Sequence, residues 1–337
     1  MNFLKTTIFG GVKEIPESKK YTDQYFYDQI KDTNLLVPRT KMLYTTKLQL
    51  IQQQLFGSNS HPSLLWILLH PQETKEAIIK HGQETVGRFG HKTLSAHTLK
   101  QLCLVIASLL FHNQELQEHY PELMAQWKQL TKEISAPVTE HYDSNQPTET
   151  QAKAYISFEE IEKIRDGLKD GSTDKLLVSI YTMIPPARSD YDRVRIYGSD
   201  PDVKTENYMV IDKEGKITMY LNQYKTAKNY GSLITSLPPA LCHQIIKSLE
   251  LNPREYLFVD HKNQPYVNTG TFNSFANRSC KRIFNNKDFN LTMFRHIYVS
   301  RKSIMDKSRK EKKEIATKMG HSLDMADQYA FKGDDKQ

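Results

Sequence analysis

Long apolar runs are missing from this 337-residue chain. Its longest aliphatic stretch, Leu64 to Leu69, falls far short of the roughly 20 residues a bilayer-spanning helix needs, and its N-terminus lacks an apolar signal-peptide core. No membrane partner is expected, and the protein is expected to act inside the cell. Cysteine is also scarce. Cys103, Cys242 and Cys280 are odd in number and fall outside any CxxC or Cys/His ligand spacing, which excludes a disulfide framework and a zinc module. They read as reduced core residues. No acidic cluster has the carboxylate spacing that holds Mg²⁺, so neither a metal nor another cofactor is expected. There is no internal repeat.

Positive charge is present but unevenly placed. Residues 1–150 carry 15 Lys+Arg against 15 Asp+Glu, whereas residues 151–337 carry 31 against 24. The whole net charge of +7 therefore sits in the second half, the electrostatic footprint of a polyanion partner. Nucleic acid fits this footprint, as do acidic membranes and proteins. A hydrophobic content of 38% in 39.2 kDa suffices for two domains with separate cores.

The pattern predicts an α+β chain, mostly helical, with an all-α domain followed by a mixed domain containing a small antiparallel sheet. Residues 1–57 are polar up to a helix near Met42 to Phe56 and read as an arm or helical extension. In 58–135, Pro71 opens one helix, Ser95 to His112 is strongly apolar at helical spacing, and Glu115 to Ile134 alternates apolar and charged faces. Residues 136–152 hold two prolines and no period, and read as a linker. In 153–337, Ser157 and Glu160 open a helix to about Leu168, and Thr173 to Ile184 forms another, stopped by Pro185-Pro186. Arg193–Tyr197, Tyr208–Ile211, Ile217–Leu221 and Ser232–Leu237 read as strands, the middle two joined through Asp212-Lys213-Glu214-Gly215. Helices return from Pro239.

Near the C-terminus, Gly320-His321 is followed by Tyr329, after an Arg-His pair at Arg295-His296. A phenol, which ordinarily titrates near about 10, is a poor nucleophile at neutral pH unless neighbours accept its proton or hold charge on the group it attacks. Gly-His alone is uninformative. Gly90-His91 is a second such pair, and Leu99 and Lys100 stand where a nucleophile would follow. The order carries the signal. Arg188 lies in a turn before Ser189-Asp190-Tyr191, Lys225 lies beyond the hairpin with Lys228 as its competitor, and Arg295 rides a helix of apolar period. Two arginines converging on one phosphate would neutralise a pentacoordinate phosphorane with planar, permanently charged donors. Each residue also has an ordinary reading. Arg188 would ion-pair with Asp190 or Asp192, Lys225 would be one of several solvated lysines, His296 a core histidine and His321 a helix C-terminal cap.

The order Arg188, Lys225, Arg295-His296, Gly320-His321, Tyr329 resembles the signature of tyrosine recombinases, the phage-integrase-like family. Pro-x-Arg-x-Asp-Tyr and Arg-His-x-Tyr look closer to the integrases of eukaryotic DNA viruses and mobile elements. The resemblance covers residues 155–330, and by position and helicity alone residues 60–135 look like that family's core-binding domain. It implies a site-specific recombinase in which Tyr329 forms a 3′-phosphotyrosine on double-stranded DNA. Arg188, Arg295 and His321 would bind the non-bridging oxygens and Lys225 would act as general acid. Neither ATP, a metal nor a small-molecule substrate would be needed, and four subunits would synapse two sites. His296, Thr292, Asp190 and Lys228 would give support.

Two departures stand out. Thr292 occupies the position, three before the second arginine, where the family usually has histidine, and Tyr329 follows His321 by eight residues where the family often has nine. Only AFKGDDKQ follows Tyr329, so either subunit contacts lie elsewhere or the tail has been truncated. Arg301, Lys302, Lys307, Arg309, Lys310, Lys312 and Lys313 are expected either to follow the phosphate backbone or to form a solvated helix face. The alternatives are a type IB topoisomerase, monomeric with a similar pocket, and a catalytically silent DNA-binding scaffold of the same fold. The protein would be found wherever its DNA is, in the host nucleus, the cytoplasm or a virion.

Overall fold

The computed structural model describes residues 20–54, 62–84, 94–201 and 205–331. The decoy pair Gly90-His91 and the last six residues lie outside the described residues. Among the described residues there are seventeen helices and four strands, an α+β architecture dominated by helix. None of these helices is long and apolar enough to cross a membrane. The chain divides into two units, Met1–His141 and Tyr142–Gln337.

The first unit is built from α1 (Asp23–Asp32), α2 (Pro38–Gln54), α3 (Leu64–Leu69), α4 (Pro71–Glu84), α5 (Ala96–Phe111), α6 (Gln114–His119) and most of α7 (Pro121–Ser144). Local chemistry sets several starts. Ser63 and Ser95 accept hydrogen bonds from the amides of Trp66 and Thr98, so each caps its helix. Trp127 is fully buried and its indole N–H donates to Leu68 O at 2.9 Å. Phe26, Ile30, Leu48 and Ile51 enter the same core as Leu64, Leu68, Ile106 and Trp127. The stretch expected to be an arm or helical extension thus supplies core residues. One turn's spacing gives α1 a narrow apolar face that its many polar neighbours obscure.

Helix α7 continues through Pro137 to Ser144, into the stretch expected to be a linker. Proline deletes one helical hydrogen bond, that to the carbonyl of Glu133, and Glu133 and Pro137 are both exposed, so water can serve the freed carbonyl. The unit boundary falls inside this helix.

The second unit opens with α8 (Glu149–Ala154), α9 (Phe158–Gly167) and α10 (Thr173–Met183), then β1 (Arg195–Tyr197), β2 (Tyr208–Ile211) and β3 (Ile217–Leu221). It continues through α11 (Ala227–Tyr230), β4 (Leu233–Ser236), α12 (Pro239–Leu251), α13 (Thr269–Ile283), α14 (Leu291–Ser300), α15 (Lys302–Met305), α16 (Arg309–Lys318) and α17 (Leu323–Asp327). The sheet order is β1-β2-β3-β4. It is mixed, which corrects the expected antiparallel sheet: β1 runs parallel to β2, with Arg195 opposite Tyr208. A tight turn joins only antiparallel strands, so this pair is not a hairpin. Such a turn joins β2 to β3, where Asp212 Oδ1 accepts from the amides of Glu214 and Lys216 at 3.0 and 2.7 Å. Ile217, Met219 and Leu221 point into a core shared with α10 and α12.

Helix α14 lies at the centre of this core, with Leu291 and every residue from Met293 to Val299 buried. A helix apolar all round has no solvent face to offer, yet this one carries Arg295 and His296.

Two glycines near α9 should respond oppositely to alanine. Gly167, inside α9, has nothing within 4 Å of an added methyl, so Gly167→Ala is expected to raise stability by about 0.5–1 kcal/mol. Gly171 has φ +73° and a methyl there would lie 2.8 Å from Lys247 O, so Gly171→Ala is expected to lower it by about 1–3 kcal/mol. Urea unfolding of both variants checks this, and equal shifts would contradict the close approach of that loop to α12.

Candidate active site

Arg295 is 2% exposed, and its partners explain how a charge is kept there. Nη1 donates to Pro186 O at 2.8 Å and to Met319 O at 3.3 Å, joining the segment after α10 to the end of α16. The guanidinium carbon lies 4.8 Å from the centroid of the Tyr329 ring. Nε and Nη2 are buried and make no hydrogen bond of good geometry among the described residues. Burial pulls the Arg295 pKa below its ordinary value, while the neighbouring Tyr329 phenol acts to raise it.

Gly320-His321 owes its form to the end of α16. Gly320 has φ +71°; its N–H donates to Thr317 O at 2.9 Å, and that of His321 donates to Ala316 O at 3.1 Å. These paired bonds, with glycine left-handed just past the helix, satisfy its last carbonyls. The glycine is the cap, and His321 is the residue it delivers, 2% exposed. His321 Nδ1 lies 3.1 Å from Ser322 O. A carbonyl only accepts, so Nδ1 carries the proton and Nε2 a lone pair. Nε2 is buried without a partner among the described residues, and the ring centroid lies 5.5 Å from that of Tyr329. Burial, then the charge of Arg295, lowers the His321 pKa to about 4.

The loop bearing Lys225 is fastened to the same turn. Thr226 Oγ1 donates to Gly320 O at 2.5 Å, and the Tyr224 ring lies 3.1 Å from where a Gly320 side chain would begin. Lys225, one residue before this anchor, is exposed and makes no hydrogen bond or ion pair among the described residues. Lys228 is exposed on α11.

Arg188 sits in a turn held from both sides. Tyr181 Oη donates to Arg188 O at 2.6 Å, and Arg188 N–H donates to Asp190 Oδ2 at 3.2 Å. Its guanidinium forms no ion pair with Asp190 or Asp192 among the described residues, and Asp192 lies instead 3.8 Å from Arg193. The Arg188 charge nevertheless reaches Arg295 and His321, where it acts to lower both pKa values. Burial raises the pKa of Asp190, with Arg188 opposing.

Asn207 was not singled out by the sequence. Its amide donates to Asp190 O at 3.1 Å and Gln223 O at 2.9 Å, and its carbonyl oxygen accepts from the amides of Asn222 at 2.8 Å and Gln223 at 2.7 Å. One buried side chain thereby fixes the Arg188 turn against the start of the Lys225 loop. A lone asparagine before a strand gives no signal of such a role.

Other residues fall outside this group. Thr292 is exposed in the first turn of α14, where its amide is capped by Asn290. His296 is buried with both ring nitrogens occupied: Nδ1 lies 2.9 Å from Tyr329 O and Nε2 lies 3.2 Å from Gln151 Nε2. Arg301 lays its guanidinium over the rings of Phe158 and Tyr298, at 3.9 and 4.1 Å, so its flat face is engaged in packing. Lys307 pairs with Glu311 at 3.2 Å. Lys302, Arg309, Lys310 and Lys313 are exposed, and Lys312 is half-buried. No three His, Cys, Asp or Glu side chains converge as a cation site among the described residues.

No family model matches the chain, and no curated protein matches it. Among solved structures it is similar to the crystal structure of XerA recombinase, with 12% sequence identity and a TM-score of 0.39, over 92% of this chain and 94% of that one.

The two buried imidazoles give stability a defined pH dependence. Both titrate at about 4 in the folded chain, against roughly 6.5 when unfolded. Below pH 6.5 the unfolded chain therefore binds more protons. Stability is expected to be insensitive to these groups above that pH, then to fall toward about 4 by up to about 1.4 kcal/mol per pH unit for each imidazole. Urea midpoints between pH 7.5 and 5 measure this, and His321→Asn should flatten the slope. An unchanged slope in that variant would mean that His321 is not held neutral.

Proposed function

We propose that this chain is a DNA strand transferase of the tyrosine-recombinase type, cutting and rejoining duplex DNA through a 3′-phosphotyrosine. One observation carries the reading: the ring of Tyr329 lies against Arg295 and His321, where Arg295 Nε and Nη2 and His321 Nε2 are buried without a well-formed hydrogen bond among the described residues. Buried polar atoms are rarely left unpaired. Two guanidinium donors and an imidazole beside a phenol match the needs of a phosphodiester under attack. The basic second half supplies the long-range attraction for DNA.

In this reading Tyr329 Oη attacks phosphorus as the bond from phosphorus to the 5′-oxygen breaks. Arg295, with Arg188 from its turn, neutralises the charge that builds on the non-bridging oxygens. The phenol proton passes to His321 Nε2, because Thr292 lacks a basic nitrogen and both nitrogens of His296 are engaged. A phosphate in the pocket offsets the arginine charges that depress His321 and makes it a better base. Once protonated, its Nε2–H becomes a donor to the phosphate. Lys225 gives a proton to the departing 5′-oxygen, its loop held through Thr226. The phosphodiester energy stays in the tyrosyl linkage, and a 5′-hydroxyl from another strand reverses the steps to join new partners. Site-specific integration by four copies on two synapsed sites is the proposed task, in the manner of elements carried by eukaryotic DNA viruses.

The test uses nicked duplexes from the element's own termini, without added metal, and a denaturing gel that reveals a protein–DNA adduct. Wild type is expected to form it. Tyr329→Phe should form none and bind with affinity within about twofold, since no phosphate contact is lost. Arg188→Ala, which removes no ion pair, should slow adduct formation by about 10²-fold or more. Equal adduct from Tyr329→Phe would reject that nucleophile. Relaxation of supercoils by a monomer on arbitrary sequence would mark a type IB topoisomerase instead.

A further inference from the structure

The residue following Arg295 is buried, charge-neutral and absent from the chemistry above, yet it touches the backbone of the nucleophile. His296 Nδ1 lies 2.9 Å from Tyr329 O, so Nδ1 must carry the proton. Nε2 then presents a lone pair, and Gln151 Nε2 lies 3.2 Å away to donate to it. The amide of Gln151 cannot be reversed freely, because its Oε1 accepts from Thr148 N–H at 2.8 Å in the capping box that starts α8. The imidazole is stacked on Phe331, with centroids 4.5 Å apart and planes 3° from parallel. Phe331 is itself tied to α14, its N–H donating to Ser300 Oγ at 2.8 Å. One turn of α14 thus grips the chain at residue 329 and again at 331.

We propose that His296 is a positioning residue for the nucleophile, locked by Gln151 as the Nδ1–H tautomer so that it holds the Tyr329 carbonyl and aims the phenol at Arg295. The chain of bonds runs from Thr148 through Gln151 and His296 to Tyr329, so the first helix of the second unit sets the pose of a residue near the other end of that unit. Tyr329 needs this support because α17, which precedes it, has only five residues and a helix that short does not sustain itself. Burial, which lowers the His296 pKa to about 4, keeps the ring neutral and the lone pair available to Gln151. The functional part of this inference rests on the strand-transferase reading; the tautomer and the tether do not.

Two substitutions separate a tether from simple packing. Asparagine places its amide N–H near the position of Nδ1, and glutamine places it near Nε2, while both lose the stacking on Phe331. His296→Asn is expected to trap adduct within about threefold of wild type and His296→Gln to be about tenfold or more slower, the size of one lost hydrogen bond, with DNA affinity and melting temperature alike in the pair. Gln151→Met leaves His296 in place and should slow trapping by a similar factor. Ring-¹⁵N histidine NMR should find His296 with a protonated Nδ1 and an accepting Nε2 in wild type, and a shift toward Nε2–H in Gln151→Met. Equal trapping by the Asn and Gln variants, or an Nε2–H tautomer in wild type, would overturn the proposal. If wild type forms no adduct the strand-transferase reading fails, and the tautomer in wild type and Gln151→Met still decides whether His296 is the tether described.

Discussion

A single buried guanidinium organises the second unit. Removing a charge of this kind from water costs several kcal/mol even after relaxation, so Arg295 persists on the central helix only because carbonyls have been brought to it. Pro186 and Met319 supply them, from segments more than a hundred residues apart in sequence at the widest. The turn that carries Arg188 follows from the first contact, and the cap that delivers His321 follows from the second. Two donors are left over, and Tyr329 lies beside them. Packing and chemistry therefore share one side chain.

The two histidines of this region show how little residue type says about role. Both are buried, both are held at about 4, and both place Nδ1 against a carbonyl. What differs is the other nitrogen. Gln151 occupies it in His296, and no described residue occupies it in His321. The first imidazole is thereby finished as structure, and the second is left with an open valence beside a phenol.

Much of this was legible in the chain because it is local. The starts at Ser95 and Ser157, the stop at Pro185-Pro186, the strands at Tyr208–Ile211 and Ile217–Leu221, and the turn at Asp212 all depend on residues within a few positions of one another. The placing of Arg295 and His321 beside Tyr329 was foreshadowed by their order in the chain and the fixed short spacing at Gly320-His321. What stayed hidden depends on distant partners. Asn207 earns its place through contacts to Asp190, Asn222 and Gln223, and His296 through Gln151, and neither pairing leaves a periodic trace. The core residues of α1 were masked by their polar neighbours, and the helix through Pro137 was masked by proline's usual effect. The parallel pairing of β1 and β2 depends on the course of an intervening loop, to which hydrophobic alternation is blind.

The brevity of α17 has an energetic consequence of its own. Its five residues follow the Gly320 cap, bury Ala326 and are fastened by Asn145 on Asp327 O at 3.2 Å and, just beyond the helix, by the contacts of residues 329 and 331 with α14. An element held at its edges opens as a small cooperative unit, at a fraction of the free energy needed to unfold the whole domain. A local opening of this kind would free the half-buried Tyr329 side chain at less cost than unfolding the domain. Exposure of the phenol and loss of the fold are separate events on separate free-energy scales.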